Sequence, residues 1–435
     1  MDTSEALNWL YSFKKHGSKL GLERISYLVD KLDNPQNKIK TIHITGTNGK
    51  GSVCKFIASV LQKAGYNVGV YISPHLQRFS ERIVINNNEI SNDDMVLLIE
   101  KVKPIVEKMI SQGNAPTFFE IVTAMSFLFF CESSVDFAVI EVGLGGRFDA
   151  TNVINPLISI ITNISLEHTK FLGDSIESVS YEKAGIIKSN TPIVTAASNS
   201  SLKVIKKIAK EKNASLITIS DKNWKRVFFN HTHQEFIVHG MLKDYPVKSV
   251  QLGMYQGENI ACAIFSIEQL QMMGVYITEE NIKEGIFSAF NPGRMEIISE
   301  NPIVILDGAH NPDAMKMLRI SLEKDFQFKK LILIIGILED KNYQEMISHV
   351  LPISDITILT KSNNTRACEP KILKETIEKL GFKNHVSIIK KIPEAIKYAK
   401  MKAETGDLIC ISGSLFTVGE ARQHLFGINE EIVEC

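Results

Sequence analysis

The sequence lacks an excess of either charge, with 49 Lys and Arg against 49 Asp and Glu. A strongly one-signed surface is what draws nucleic acid or an anionic membrane, so neither is expected as a partner. Paired cysteines are also missing. Cys54, Cys131, Cys262, Cys368, Cys410 and Cys435 are scattered, with no CxxC and no closely spaced histidine, which leaves no zinc or dithiol motif. Most sit in apolar or helical contexts and read as core thiols, Cys435 as a terminal residue. The opening "MDTSEALNWLYSFKK" carries an early acid and no unbroken apolar run, so neither a secretory signal nor a membrane span is expected, and the cytoplasm is the expected location. No repeat of solenoid length and no low-complexity tract is visible.

What is present is an ordinary globular composition, 44% hydrophobic and 23% charged over 435 residues, a length that favours two or three domains. Residues 41–45 read as a strand running into a glycine loop, after which Val53, Phe56, Ile57, Val60, Leu61 and Ala64 recur at helical spacing until Gly65. β-Branched runs follow at 68–72, 137–142, 157–164 and 193–195, separated by stretches long enough for crossover helices, such as 121–130. Residues 228–252 alternate as short antiparallel strands, and a helix is expected over 258–273. After "NPGRMEII" the alternation restarts, with strands expected at 304–306, 331–337, 356–359, 387–389 and 408–411. The expected fold class is α/β: an N-terminal P-loop ATPase domain with a mainly parallel sheet, residues 1–294, and a smaller Rossmann-like α/β domain, residues 295–435.

The loop in "IHITGTNGKGS" departs from GxxxxGK[ST], because Gly51 separates Lys50 from Ser52 and Ile44 stands where the first glycine belongs. Gly46, Gly49 and Gly51 still allow backbone N–H groups to face an anion, Lys50 supplies charge, and the helix dipole starting at Ser52 adds to the field. Nucleotide binding therefore outweighs a mere strand-to-helix turn. "EVGLGGRFDATN" sets Glu141 at a strand end beside three glycines; it suits a Mg²⁺ on nucleotide phosphates, or it pairs with Arg147. Taken alone, His168 in "NISLEHTKFLG" reads as a structural histidine and Lys183 in "SYEKAGIIK" as a surface lysine. In "ILDGAHNPDAM", Asp307 ends a strand, His310 follows in the loop, and Asn311 and Pro312 open a helix as cap and first residue. Arg294 in "NPGRME" could reach phosphates across a closing cleft. Thr45, Ser73, Glu141 and Asn163 stand at strand ends, and open α/β sheets bind ligand there, so these residues are expected on one rim.

With "LGLERI", "SPHL" and "TFFE" added, nine motifs in order resemble the folylpolyglutamate synthases and dihydrofolate synthases, a branch of the Mur ligase superfamily. In that branch the extra glycine of "TGTNGKGS" is the normal form of the loop. The resemblance implies an ATP-dependent ligase that joins L-glutamate to reduced folates, and to dihydropteroate, through an acyl phosphate. It implies Gly49, Lys50, Gly51 and Ser52 on the ATP phosphates, with Asn259, Arg294 and Asp307 as ATP contacts across a domain interface. Ser73 and Glu141 would hold one Mg²⁺ and His168 a second, while Lys183 would carry a CO₂-derived carbamate. Lys50, Lys183, His168 and His310 form the implied catalytic set. Leu20, Gly21, Leu22, Arg24, Thr117, Phe118, Phe119, Glu120 and Asp149 are implied at the pterin pocket, where the two phenylalanines can pack on a flat ring. A monomer with small-molecule partners is expected. Two other readings are weaker. A Mur-type ligase for a nucleotide-linked cell-wall precursor fits neither the GKGS spacing nor "TFFE", and an ATP sensor would not need Lys183, His168 and Glu141 beside the loop.

Overall fold

Strand β1, Thr41–Thr45, is buried at every position, as a strand covered on both faces must be. It lies inside an eight-stranded sheet with β2 (Val68–Tyr71), β3 (Ile83–Ile85), β4 (Asn88–Glu89), β5 (Phe137–Glu141), β6 (Ile158–Ile161), β7 (Ile193–Thr195) and β8 (Leu216–Thr218), in the order β4-β3-β2-β5-β1-β6-β7-β8. The six strands from β2 to β8 in that order run parallel, and β3 and β4 add an antiparallel edge. The computed structural model describes residues 1–17, 19–382 and 385–427, so Cys435 lies outside the described residues.

Because side chains alternate along a strand, Phe137 and Val139 of β5 enter one core while Ala138 and Ile140 enter another. The first core is closed by helices Lys50–Lys63, Gln256–Met272 and Glu279–Ser288; the second by Thr3–Tyr11, Glu23–Lys31, Asn92–Ser111 and Phe118–Glu132. Phe127 and Phe130 in the last of these are fully buried, each worth about 2–3 kcal/mol of transfer free energy. A small antiparallel sheet, β9 (Trp224–Phe229), β10 (Gln234–His239) and β11 (Asp244–Ser249), sends Phe236, Val238, Tyr245 and Val247 into the first core.

The third sheet holds β12 (Glu296–Glu300), β13 (Ile303–Leu306), β14 (Leu331–Ile335), β15 (Ile356–Leu359), β16 (His385–Ile388) and β17 (Leu408–Ser412), in the order β12-β13-β17-β14-β15-β16. Among the described residues only the β12–β13 pair in it is antiparallel. The α/β expectation is met, and the strands are shorter than their apolar runs. Residues 72, 142, 162–164 and 336–337 extend beyond the ladders and become loop at the carboxyl ends. Sequence reading missed β3, β4, β8 and β12, which are short or half-exposed and carry little alternation.

Several contacts join the third sheet to the rest. Arg226 of β9 forms a bidentate pair with Asp325, one bond being 2.8 Å. Arg422 bonds Glu296 at 3.1 Å and Gln77 at 2.6 Å. Helix Leu415–Phe426 comes so close to the loop after β2 that a Cβ at Gly419 would collide with the Leu76 carbonyl. A further contact involves the glycine loop itself. Among the described residues no helix is long and apolar enough to cross a membrane.

Candidate active site

The glycine loop leaves β1 and is clamped to the end of the neighbouring strand β6. Thr47 N–H donates to Asn163 O at 2.8 Å and Asn48 N–H to Asn163 Oδ1 at 2.9 Å, while Thr162 Oγ1 donates to Asn48 O at 2.6 Å. Gly49 adopts φ 86°, and a Cβ there would collide with Asn259 Oδ1, so only glycine suits the turn. The helix begins at Lys50 and not at Ser52, which puts the Lys50 and Gly51 N–H groups in the unpaired first turn. Lys50 Nζ donates to Gly46 O and Thr47 O, both at 3.1 Å, so its ammonium lies folded over the loop it would share with an anion.

Around the loop stand the ends of β2, β5 and β6, because parallel strands present their carboxyl ends on one side. Glu141 at the end of β5 is buried and takes Ser73 N–H at 3.1 Å. Burial pushes its carboxyl up, and the Lys50 ammonium opposes that shift. Lys183 is buried on the helix Ile176–Ala184 and donates to Gly46 O at 2.7 Å. Burial and then the nearby Lys50 push its amine down to about 7. Lys183 is therefore no surface lysine. His168, at φ 52°, opens a short helix, and burial lowers its imidazole to about 4 against the pull of Glu167.

Glu167 collects groups from both sides of the cleft. Its Oε1 lies 3.4 Å from His168 Nε2, 3.5 Å from His310 Nε2 and 3.0 Å from Lys341 Nζ. Burial would raise this carboxyl, but the bond from His310 and the charges of Lys341 and Lys50 hold it well below the usual range.

The loop after β13 supplies the opposite wall. Asp307 accepts from Met295 N–H at 2.9 Å, Ala309 N–H at 2.9 Å and Tyr255 OH at 3.2 Å. Burial raises its carboxyl, with Arg294 pulling it back. Gly308 N–H bonds Gly293 O at 2.7 Å, which ties "GRME" to "DGAHNP". Asn311 caps helix Pro312–Asp325 and also reaches the glycine loop.

A second end of the site is more apolar. Thr117 and Glu120 form a capping box on helix Phe118–Glu132, and Arg24 Nε lies 3.0 Å from Glu120 Oε1. Buried Asp149 accepts Leu144 N–H at 2.8 Å and Thr151 Oγ1–H at 2.6 Å, with burial pushing its carboxyl up. Phe119 packs against Gly143 so closely that a Cβ there would meet its ring.

A single cavity of about 1120 Å³ joins the two ends. That exceeds the roughly 300–1,000 Å³ of a pocket for one small ligand. Of the residues anticipated from sequence, Gly49, Lys50, Gly51, Ser52, Ser73, Glu141, His168, Lys183, Asn259, Arg294, Asp307 and His310 line it, as do Leu20, Thr117, Phe119, Glu120 and Asp149. Gly21, Leu22, Arg24 and Phe118 do not. Phe118 instead stacks on Tyr11, rings 5.6 Å apart, and Arg24 acts on the cavity through Glu120. Glu167, Lys341, Tyr255 and Trp224 also line it and were missed. Lys341 follows β14, so the strand-end rule could have found it; Glu167 stood in a quoted motif beside the more conspicuous histidine.

The chain matches the Mur ligase middle domain over residues 44–267 and the Mur ligase glutamate ligase domain over residues 293–415. It is 36% identical to the dihydrofolate synthase/folylpolyglutamate synthase of Bacillus subtilis, covering 97% of this chain and 98% of that one. The chain belongs to the folylpolyglutamate synthase family of Mur ligases. The folylpolyglutamate synthase of Lacticaseibacillus casei is 33% identical over 98% of this chain and 99% of its own. A Mycobacterium tuberculosis folylpolyglutamate synthase solved with ADP and AMPPCP superposes with a TM-score of 0.91 at 30% identity, covering 99% of this chain and 100% of that one.

Among the described residues no three His, Cys, Asp or Glu side chains are gathered as a ready metal cage. The oxygen donors Ser73 and Glu141, facing the loop, nevertheless fit a Mg²⁺ that takes most of its ligands from phosphates and water.

Proposed function

We infer that this protein is an ATP-dependent ligase that adds L-glutamate to reduced folates and also to dihydropteroate. The observation that carries the reading is the continuous cavity, with a phosphate loop at one end, a carboxylate-bearing apolar recess at the other, and Lys183 and His168 also on its wall. A carboxylate is a poor electrophile, so the acceptor's carboxylate oxygen first attacks the γ-phosphorus of ATP and ADP leaves. The glutamate nitrogen then attacks the acyl carbon and loses a proton, and inorganic phosphate departs.

Phosphoryl transfer asks mainly for position and charge neutralisation. Lys50 would move from Gly46 O and Thr47 O onto phosphate oxygens, and the N–H groups of Gly49 to Ser52 would face the same anion. Arg294, Asn259 and Asp307 would hold the nucleotide from the other wall. Ser73 and Glu141 would bind one Mg²⁺ and the neutral His168 imidazole a second; such ions neutralise phosphate charge and stiffen the nucleotide. Lys183, an amine near neutrality, is reactive toward CO₂, and its carbamate would turn a buried cation into an anion beside His168. Thr117, Phe119, Glu120 and Asp149 would receive the pterin. Residues 1–294 and 295–435 are taken as the two domains, and the enzyme as a monomer.

The test is phosphate release with ATP, Mg²⁺ and L-glutamate, with dihydropteroate or tetrahydrofolate as acceptor and products weighed by mass spectrometry. One added glutamyl unit on each acceptor is expected; no product with either acceptor overturns the reading.

A further inference from the structure

Asn48 sits inside the glycine loop, yet its polar groups are turned to protein. Its N–H and C=O are taken by Asn163 and Thr162, which lie beyond β6 in the same sheet. Its side chain makes a reciprocal amide pair with Asn311: Asn48 Nδ2 donates to Asn311 Oδ1 at 3.3 Å, and Asn311 Nδ2 donates to Asn48 Oδ1 at 2.8 Å. Asn311 is 2% exposed, and its Oδ1 also caps helix Pro312–Asp325 through Ala314 N–H at 2.9 Å. It follows Asp307 and His310 in the loop after β13, so one residue of that loop grips the phosphate loop directly, a single position before Gly49.

We propose that the Asn48–Asn311 amide pair is a positioning device that sets the phosphate loop in its working shape only when the third sheet is seated against it. The proposal rests on the ligase reading. The anchors from β6 hold the loop from one side whatever the other sheet does. Asn311 adds a hold from the opposite wall, on the rigid end of a capped helix. Two hydrogen bonds between neutral amides lock both atoms of each side chain, so the contact is directional where a charge pair would tolerate sliding. The consequence is order: nucleotide can enter against the β6-anchored loop, but transfer of its phosphoryl group waits for Asn311.

The test is a double-mutant cycle with Asn48→Ala, Asn311→Ser and both together. Serine keeps an N-cap for the helix but is too short to reach Asn48. Each single variant is expected to lower kcat about tenfold or more, with affinity for a non-hydrolysable ATP analogue within about twofold of wild type, and the double is expected to be no worse than the poorer single. In the presence of that analogue, hydrogen exchange at residues 46–51 should quicken equally in all three. Unchanged kcat and exchange in Asn48→Ala, or losses that multiply in the double, overturn the pair. A loss of ATP affinity in Asn48→Ala alone would make Asn48 a ligand contact and equally overturn it. If the wild type itself makes no glutamyl product, the ligase reading falls, and the exchange rates still judge the pair.

Discussion

At the scale of single residues, burial decides the chemistry. Lys183 is held near 7 because its amine is out of water and near Lys50. Lys183→Ala should cut ligation about 100-fold or more while leaving most of the affinity for an ATP analogue, and turnover of the wild type should slow in CO₂-depleted buffer and recover with bicarbonate. Equal rates with and without bicarbonate would exclude the carbamate. His43 on β1 shows the same force away from the reaction. Its Nε2 lies 2.8 Å from Thr151 Oγ1, its Nδ1 is buried without a hydrogen-bond partner, and burial lowers the imidazole to about 3. The unfolded chain takes up this proton near 6.5 and the folded chain does not, so stability falls as pH drops from 6.5 toward 3. At pH 4.5 the loss is about 2–3 kcal/mol. Urea midpoints at pH 4.5 and 7.5 should therefore differ less in His43→Asn than in wild type; an equal drop would remove His43 as the cause.

At the scale of elements, strand ends and helix starts make the site. The "TFFE" stretch illustrates how a cap does two jobs. Thr117 Oγ1 accepts Glu120 N–H at 3.2 Å, and the Glu120 carboxylate returns to Thr117 N–H at 2.7 Å. The same carboxylate faces the cavity beside Arg24. Thr117→Val should cost about 1 kcal/mol, visible as a lower Tm, and should raise KM for the pterin substrate more than KM for ATP. A rise confined to ATP would separate this cap from the pterin end. The second motif phenylalanine shows the limit of reading an element from its letters. Phe118 and Phe119 are adjacent and equally aromatic, but a helix turns successive residues by about 100°, so one faces the cavity and the other packs on Tyr11.

At the scale of the molecule, the cleft depends on how the third sheet is held. Asp325 is 1% exposed and its partner Arg226 is 13% exposed, so Arg226→Ala leaves a buried carboxylate without its guanidinium. A loss of about 3–5 kcal/mol is expected by chemical denaturation, and most of it should return in Arg226→Met with Asp325→Asn; no recovery would mean that packing, not charge, governs this joint. The cleft itself is expected to close around residues 292–296, where Gly293 and Met295 both hold positive φ. Scattering from the protein with ATP, Mg²⁺ and folate together should show a smaller radius of gyration than without them, and an unchanged curve would count against closure.

The amino-acid sequence determined the local elements and the nucleotide-loop chemistry. Those follow from short-range causes: apolar period, glycine at positive φ, a Lys in register, caps such as Asn311 before Pro312. Sequence order also carried the family resemblance that named most of the cavity wall. Tertiary structure alone decided which of those residues meet. It buried Lys183, which only the family resemblance had lifted above a surface lysine, turned Phe118 away, and brought Glu167 together with His310 and Lys341 from distant segments. It also joined Asn48 to Asn311 across 263 positions. No local pattern encodes such meetings, because they arise where two sheets, each folded on its own core, present their strand ends to one another.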